Sequence, residues 1–146
     1  MNEAQLTALK AKVKPLLANK KVLLVDDMSL NRDNYREIMS ALGVAKANIF
    51  ESGNGLQALD VLKQHQVEVI VTDWNMPFMS GQMLVREIRK FPEHQDTLIF
   101  MVTAEDDKDV ETVRPYIQAF LKKPFTWSTV EKMVVSVLAK HWILNK

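Results

Sequence analysis

Five short apolar runs, spaced by stretches of helical period, restrict the folds open to this chain more than any other feature. The runs are KVLLV (21–25), NIFES (48–52), VEVIVT (67–72), TLIFMV (97–102) and AFLK (119–122). Each has the length of a strand, and most are rich in β-branched or aromatic residues. Between and after them, apolar residues recur three or four positions apart, as on one face of a helix. These are Leu30, Tyr35, Ile38, Met39 and Leu42, then Leu56, Leu59 and Leu62, then Met83, Leu84 and Ile88, and last Val130, Met133, Val134, Val137 and Leu138. Gly43 stands where the first of these helices should stop and Gly81 where the third should begin. Residues 106–118 should hold the remaining helix, with a weaker pattern and Pro115 inside it. Strands alternating with helices predict an α/β fold whose parallel sheet is covered on both faces. The first, third and fourth strands belong at its centre, because their apolar character is nearly continuous.

Composition agrees with one compact domain and excludes several classes of function. The chain has 146 residues, 47% of them hydrophobic and 25% charged, enough to bury a sizeable core without a second domain. A net charge of +1 leaves no electrostatic footprint for nucleic acid or an anionic membrane. The absence of cysteine removes disulfide and thiolate chemistry and fits a reducing compartment. No run approaches the roughly 20 apolar residues of a membrane span, and MNEAQLTALKAKVKP lacks a signal-peptide core, so the expectation is a cytoplasmic protein. Within residues 1–19, Leu6, Leu9, Val13, Leu16 and Leu17 form a helical stripe interrupted by Pro15. This is read as a helical extension ahead of a main domain at 20–146, free to pack on it, to self-associate or to stay mobile.

An open parallel sheet carries its ligand site at the carboxyl ends of its strands. The first strand ends in Asp26-Asp27, the third in Asp73, the fourth in Thr103 and the fifth in Lys123 followed by Pro124. Three acids, a hydroxyl and an ammonium therefore meet on one rim, although they lie 46, 30 and 20 residues apart from Asp27 to Lys123. Crowded carboxylates repel, and a hard divalent cation with oxygen ligands, Mg²⁺ above all, relieves the repulsion. Magnesium shares its remaining positions with water and phosphate oxygens, while a lysine, a hydroxyl and the backbone N–H after it supply phosphate contacts. Attack by one carboxylate on a phosphoryl group would then give an aspartyl phosphate, and Asp73 is the candidate nucleophile.

Each residue also has an ordinary structural reading. Asp26-Asp27 before Ser29 suits a helix start, Asp73 and Met76-Pro77 suit a turn, and Thr103 is at home at a strand end. Lys123-Pro124 reads as a turn, with a cis bond open to it and Lys122 as a rival. What favours chemistry is that every candidate falls at the end of a predicted strand. His65, His94 and His141 have no ligand spacing and are assigned to surface helices or loops. Trp74 should border the site and report on its occupancy by fluorescence.

The segments LLVDDMSLNR, TDWNMPFMSG, MVTAED and FLKKPF resemble, in order and near spacing, those of response-regulator receiver domains, and more narrowly the single-domain chemotaxis regulators. The resemblance covers about residues 20–142. It implies a flavodoxin-like, doubly wound, five-stranded parallel sheet of order 2-1-3-4-5 with helices on both faces. It also implies a phosphoprotein of two-component signalling or a phosphorelay, phosphorylated on Asp73 by a histidine kinase. Mg²⁺ would be held by Asp27, Asp73 and the backbone carbonyl of Asn75, with Asp26 acting partly through water. Thr103, the Ala104 amide and Lys123 would grip the phosphate, Thr103 and Phe120 would form the switch, and Asn75 and Glu105 would tune the phosphate's lifetime. The partners implied are the kinase, a flagellar motor switch protein as output and an auxiliary phosphatase, with no nucleic acid and no membrane insertion.

Two departures bear on the output. The span from Thr103 to Lys123 is about two residues shorter than in the chemotaxis regulators and contains Pro115, and Tyr-Ile-Gln-Ala replaces a small glycine-containing run before Phe120. The same site would also serve a phosphate sink, a relay shuttle or a regulator of another enzyme. Other classes fit less well. A haloacid-dehalogenase-type phosphatase has Asp-x-Asp, but residue 75 is asparagine, so the chain is not read as an enzyme. A flavodoxin needs a phosphate-cradling loop after the first strand, where this chain has two acids.

Overall fold

The computed structural model describes residues 1–104 and 107–144, with the backbone alone at Asp107 and Lys108. The described residues form strands β1 (Val22–Val25), β2 (Ile49–Ser52), β3 (Val69–Asp73), β4 (Leu98–Thr103) and β5 (Ala119–Lys122). They also form helices α1 (Glu3–Leu17), α2 (Ser29–Leu42), α3 (Gly55–Gln64), α4 (Gly81–Ile88), α5 (Asp107–Val110) and α6 (Trp127–Ala139). All strand pairs are parallel, in the order β2-β1-β3-β4-β5. Among the described residues, no helix is long and apolar enough to cross a membrane.

The two-residue period of each strand divides the core between the faces of the sheet. Leu24, Val71, Phe100 and Leu121 point toward α2 and α6, where Tyr35, Ile38, Val134 and Leu138 meet them. Leu23, Val25, Ile70, Ile99 and Met101 point the other way, against Leu62, Leu84, Val85 and Ile88 of α3 and α4. Full burial of such side chains is worth roughly 1.5–3 kcal/mol each, which makes the sheet a rigid base for its rim. Leu30, Leu56 and Met83, which belong to the helical stripes in the sequence, are instead exposed in the first turns of α2, α3 and α4.

Helix α1 is capped by Asn2 and Gln5 in a reciprocal box and packs against α6 and α2. Leu6, Val13 and Leu17 are buried in the α2/α6 core, and Lys10 pairs with Glu131 at 3.1 Å. The helix continues through Pro15 to Leu17, losing one hydrogen bond near its end while the flanking Val13 and Leu17 stay anchored. It crosses α2 so closely at Gly43, whose φ is 122°, that a Cβ there would lie 3.0 Å from the Lys14 carbonyl oxygen.

Asp106 lies outside the described residues, and residues 107–118 do not form the single helix expected of this stretch. The α-helical part is one turn, α5, followed by a 3₁₀ turn at Arg114–Tyr116. Pro115 explains the break, because a continuous helix would set its ring against the Glu111 carbonyl with no N–H to donate. Arginines take over the work of holding this segment. Arg89 donates to the carbonyls of Tyr116 at 2.9 Å and His94 at 2.8 Å and to Gln118 Oε1 at 3.2 Å. Arg86 donates to the Thr112 carbonyl at 3.3 Å.

Of the histidines, His94 needs correction, while His141 is exposed as expected. His65 is half-buried and stacks on Phe50, with ring centroids 4.4 Å apart. His94 is buried, its Nε2 accepting the Val67 N–H at 3.4 Å and its Nδ1 making no hydrogen bond. A lone histidine in a polar stretch gives no sign of this, because it is the 3₁₀ turn Pro92–His94 that brings the ring against the Val67 backbone.

Candidate functional site

Because β1, β3, β4 and β5 are successive neighbours running the same way, their carboxyl ends stand side by side. Asp73 closes β3 opposite Val102, and Thr103 closes β4 opposite Lys122. Asp26, Asp27 and Asp73 each bring a carboxylate oxygen within 4.8 Å of the others, with Asp26 and Asp73 buried and Asp27 exposed. Lys123 Nζ donates to Asp73 Oδ1 at 3.0 Å, and the Lys123 backbone N–H donates to the Thr103 carbonyl at 2.8 Å. Its neighbour Lys122 is exposed, and the Lys123-Pro124 peptide is cis. Thr103 is buried at the mouth, Ala104 follows it exposed, and Asn75 is exposed two residues beyond Asp73. Phe120 is half-buried, with the Arg114 guanidinium 5.7 Å from its ring centroid. Glu105 lies outside the described residues.

Electrostatics make this a strained collection of charges. At no more than 4.8 Å and an effective dielectric of about 20, the buried Asp26 and Asp73 repel by at least roughly 3 kcal/mol when both are ionised. Among the described residues one lysine faces three carboxylates, which leaves a net negative charge. Burial holds the Asp73 carboxyl above the ordinary carboxylate range, Asp26 adds to the effect, and Lys123 opposes both. An all-oxygen donor set with excess negative charge fits a hard divalent cation. The same set is hostile to a free anion unless a cation comes with it.

Three further residues shape the site, none of them at the end of a strand. Gly81 presses against the strand end: a Cβ there would stand 2.2 Å from the Asp73 carbonyl oxygen, and its N–H donates to the Trp74 carbonyl at 2.8 Å. Tyr35, part of the apolar stripe of α2, donates its phenol to Asp26 Oδ2 at 3.2 Å, and Asn31 donates to the same oxygen at 3.2 Å. Burial, with the charges of Asp26 and Asp73, raises the Tyr35 pKa far above its ordinary value and keeps the phenol a donor. Only the pairing of Gly81 with a strand-end acid eight residues earlier hinted at such a contact. Trp74 is buried against the α3/α4 face, its backbone N–H donating to the Val102 carbonyl at 3.0 Å. Phe78, between Asp73 and α4, is 82% exposed with φ of 70°.

Fold and rim together define a flavodoxin-like α/β protein with a group of three carboxylates at its strand ends. The chain belongs to the response regulator receiver domain family, which it matches over residues 22–135. It is similar to the chemotaxis protein CheY-3 of Vibrio cholerae serotype O1, at 33% identity over 124 residues, or 84% of this chain and 94% of that protein. The CheY homolog of Campylobacter jejuni is 34% identical over 121 residues, covering 81% of this chain and 92% of its own. Among solved structures, CheY4 of Vibrio cholerae superposes with a TM-score of 0.74 at 28% identity, covering 81% of this chain and 98% of that one. It is therefore a receiver domain of the kind found in CheY chemotaxis response regulators.

Proposed function

We propose that the chain is a CheY-type response regulator in which Asp73 accepts a phosphoryl group from a histidine kinase and the modified domain acts by protein contact. The observation that carries this reading is the contact of Lys123 with Asp73 at 3.0 Å inside a group of three carboxylates. Asp26, Asp27, Asp73 and the Asn75 backbone carbonyl would hold Mg²⁺. When bound, it supplies positive charge for the oxygens of the transferring phosphoryl group. An Asp73 carboxylate oxygen attacks phosphorus, forming a P–O bond as the P–N bond to the donor imidazole breaks. The electron pair stays on the imidazole nitrogen, which takes up a proton. Lys123 follows the charge from Asp73 to a phosphoryl oxygen, and Thr103 and the Ala104 amide at the end of β4 receive another. Movement of Thr103 toward the phosphate leaves room for Phe120 to turn inward, and Asn75 and Glu105 set the lifetime of the product.

Residues 20–146 form the receiver unit in this reading, with 1–19 as its helical extension, in the cytoplasm. The family's output suggests a flagellar motor switch protein as target, with an auxiliary phosphatase ending the signal, and no catalysis on outside substrates. The one-turn α5 favours a second output, as phosphate sink, relay shuttle or enzyme regulator, because it remakes the surface beside β5.

Two experiments test the proposal. Acetyl phosphate with Mg²⁺ should label the wild type and leave Asp73→Asn unlabelled; equal labelling of both would sink the assignment. Titration with the N-terminal segment of a flagellar motor switch protein, with and without beryllofluoride, tests the output. Binding that tightens only in the activated wild type supports motor control, and activation without binding moves the output to the second reading.

A further inference from the structure

Asp26 is held by more than its backbone. Met28 donates its N–H to Oδ1 at 2.9 Å, while Asn31 and Tyr35 both donate to Oδ2 at 3.2 Å. A carboxylate oxygen offers about two lone-pair directions, so Oδ2 is filled and Oδ1 retains one. Tyr35 is the unexpected donor, because it sits on the apolar stripe of α2 among Ile38, Met39 and Leu42, where phenylalanine or leucine would fill the same space. Its ring is 3% exposed and lines an apolar crevice of about 10 Å³ with Val71, Leu121, Val130 and Val134. The other walls of the crevice are apolar and offer a water no polar partner, and their packing keeps the ring from swinging away.

We infer that Tyr35 is a positioning residue for the cation site: with Asn31 it locks Oδ2 of Asp26, so that Asp26 offers one lone pair, on Oδ1, to a cation shared with Asp27 and Asp73. The inference rests on the reading that the acidic group holds Mg²⁺. Donors behind a metal-ligating carboxylate fix its orientation, and their removal typically costs 10–100-fold in metal affinity. The pocket gains a carboxylate that cannot rotate, buried where it would otherwise turn away from Asp73. α2 thereby ties the cation site to the core that α1, α2 and α6 share.

Tyr35→Phe removes one oxygen and keeps the ring. Mg²⁺ titration followed by Trp74 fluorescence, and independently by calorimetry, should show affinity about tenfold weaker than wild type, with an unchanged circular dichroism spectrum. Val134→Ala, which trims the same crevice without touching Asp26, should lower thermal stability in EDTA and leave Mg²⁺ affinity alone. Affinity in Tyr35→Phe within twofold of wild type, or tighter, overturns the inference. Should that variant fail to fold, Asn31→Ala tests the same oxygen, with weaker Mg²⁺ binding expected and unchanged binding decisive against it. A wild type that shows no Mg²⁺ response by either method removes the cation reading itself, whereas a responsive wild type with an equally responsive Tyr35→Phe removes only the role of Tyr35.

Discussion

Gly81→Ala is the substitution whose cost follows most directly from the packing of the site. The added Cβ would meet the Asp73 carbonyl oxygen at 2.2 Å and the Trp74 Cα at 3.1 Å. An ordinary carbon–oxygen contact is about 3.3 Å, so the two must separate by about 1 Å. Neither partner is a flexible side chain. The Asp73 carbonyl accepts from Thr72 Oγ1 at 3.1 Å, and Trp74 is tied to Val102 at 3.0 Å. Relief must come from α4, which costs the Gly81–Trp74 hydrogen bond, about 1 kcal/mol, and an overpacking term of about 1–3 kcal/mol. Alanine's better helix propensity returns up to about 1 kcal/mol, leaving a net loss of roughly 1–4 kcal/mol. Urea denaturation in EDTA should show this, with a Tm lower by roughly 10 °C. The displaced loop carries Asn75, so Mg²⁺ binding should weaken as well. Gly53→Ala is the control, because its Cβ would meet nothing closer than Gln57 Oε1 at 3.5 Å, and it should stay within about 0.5 kcal/mol of wild type. A Gly81→Ala protein as stable as Gly53→Ala would refute the reasoning.

Four further outcomes are expected. Asp73, whose folded pKa is raised, makes the folded state bind more protons than the unfolded chain, so its contribution is greatest below the unfolded value near 3.9 and is lost as the pH rises through the folded value. Asp73→Asn should therefore melt higher than wild type at neutral pH in EDTA, and a lower Tm counts against the charge argument. Burial lowers the His94 pKa, so this group's contribution is full above about pH 6.5 and falls as the pH drops toward the folded value. His94→Gln keeps an acceptor for Val67 and should flatten stability between about pH 7.5 and about pH 5.5; an unaltered slope would show that the titrating group lies elsewhere. Phe78→Asn relieves a φ of 70° at an exposed side chain and should stabilise by about 0.5–1 kcal/mol, with destabilisation the contrary result. Arg89→Lys exchanges a planar fork for a point charge across four backbone and side-chain acceptors, and a loss of about 2 kcal/mol in denaturant titrations is expected; a loss under about 0.5 kcal/mol would mean the segment 112–118 does not depend on the fork.

The sequence by itself determined the elements that local periodicity encodes and the rim that follows from them. The five strands lie within two residues of their predicted bounds, and a parallel sheet puts the residues that end β1, β3, β4 and β5 together without further information. Asp26, Asp27, Asp73, Thr103 and Lys123 were legible for that reason. Only the tertiary structure decided what depends on the approach of distant atoms. The need for glycine at 81 comes from a carbonyl that the chain brings back against α4, and the Tyr35 phenol becomes part of the site because α2 crosses β1 beside Asp26. The burial of His94 and the arginine bracing of residues 112–118 likewise arise between segments whose spacing along the chain carries no period. Hydrophobic period sets which face of an element is buried; whether one atom stands 2 or 4 Å from another is set by packing, which no single segment contains.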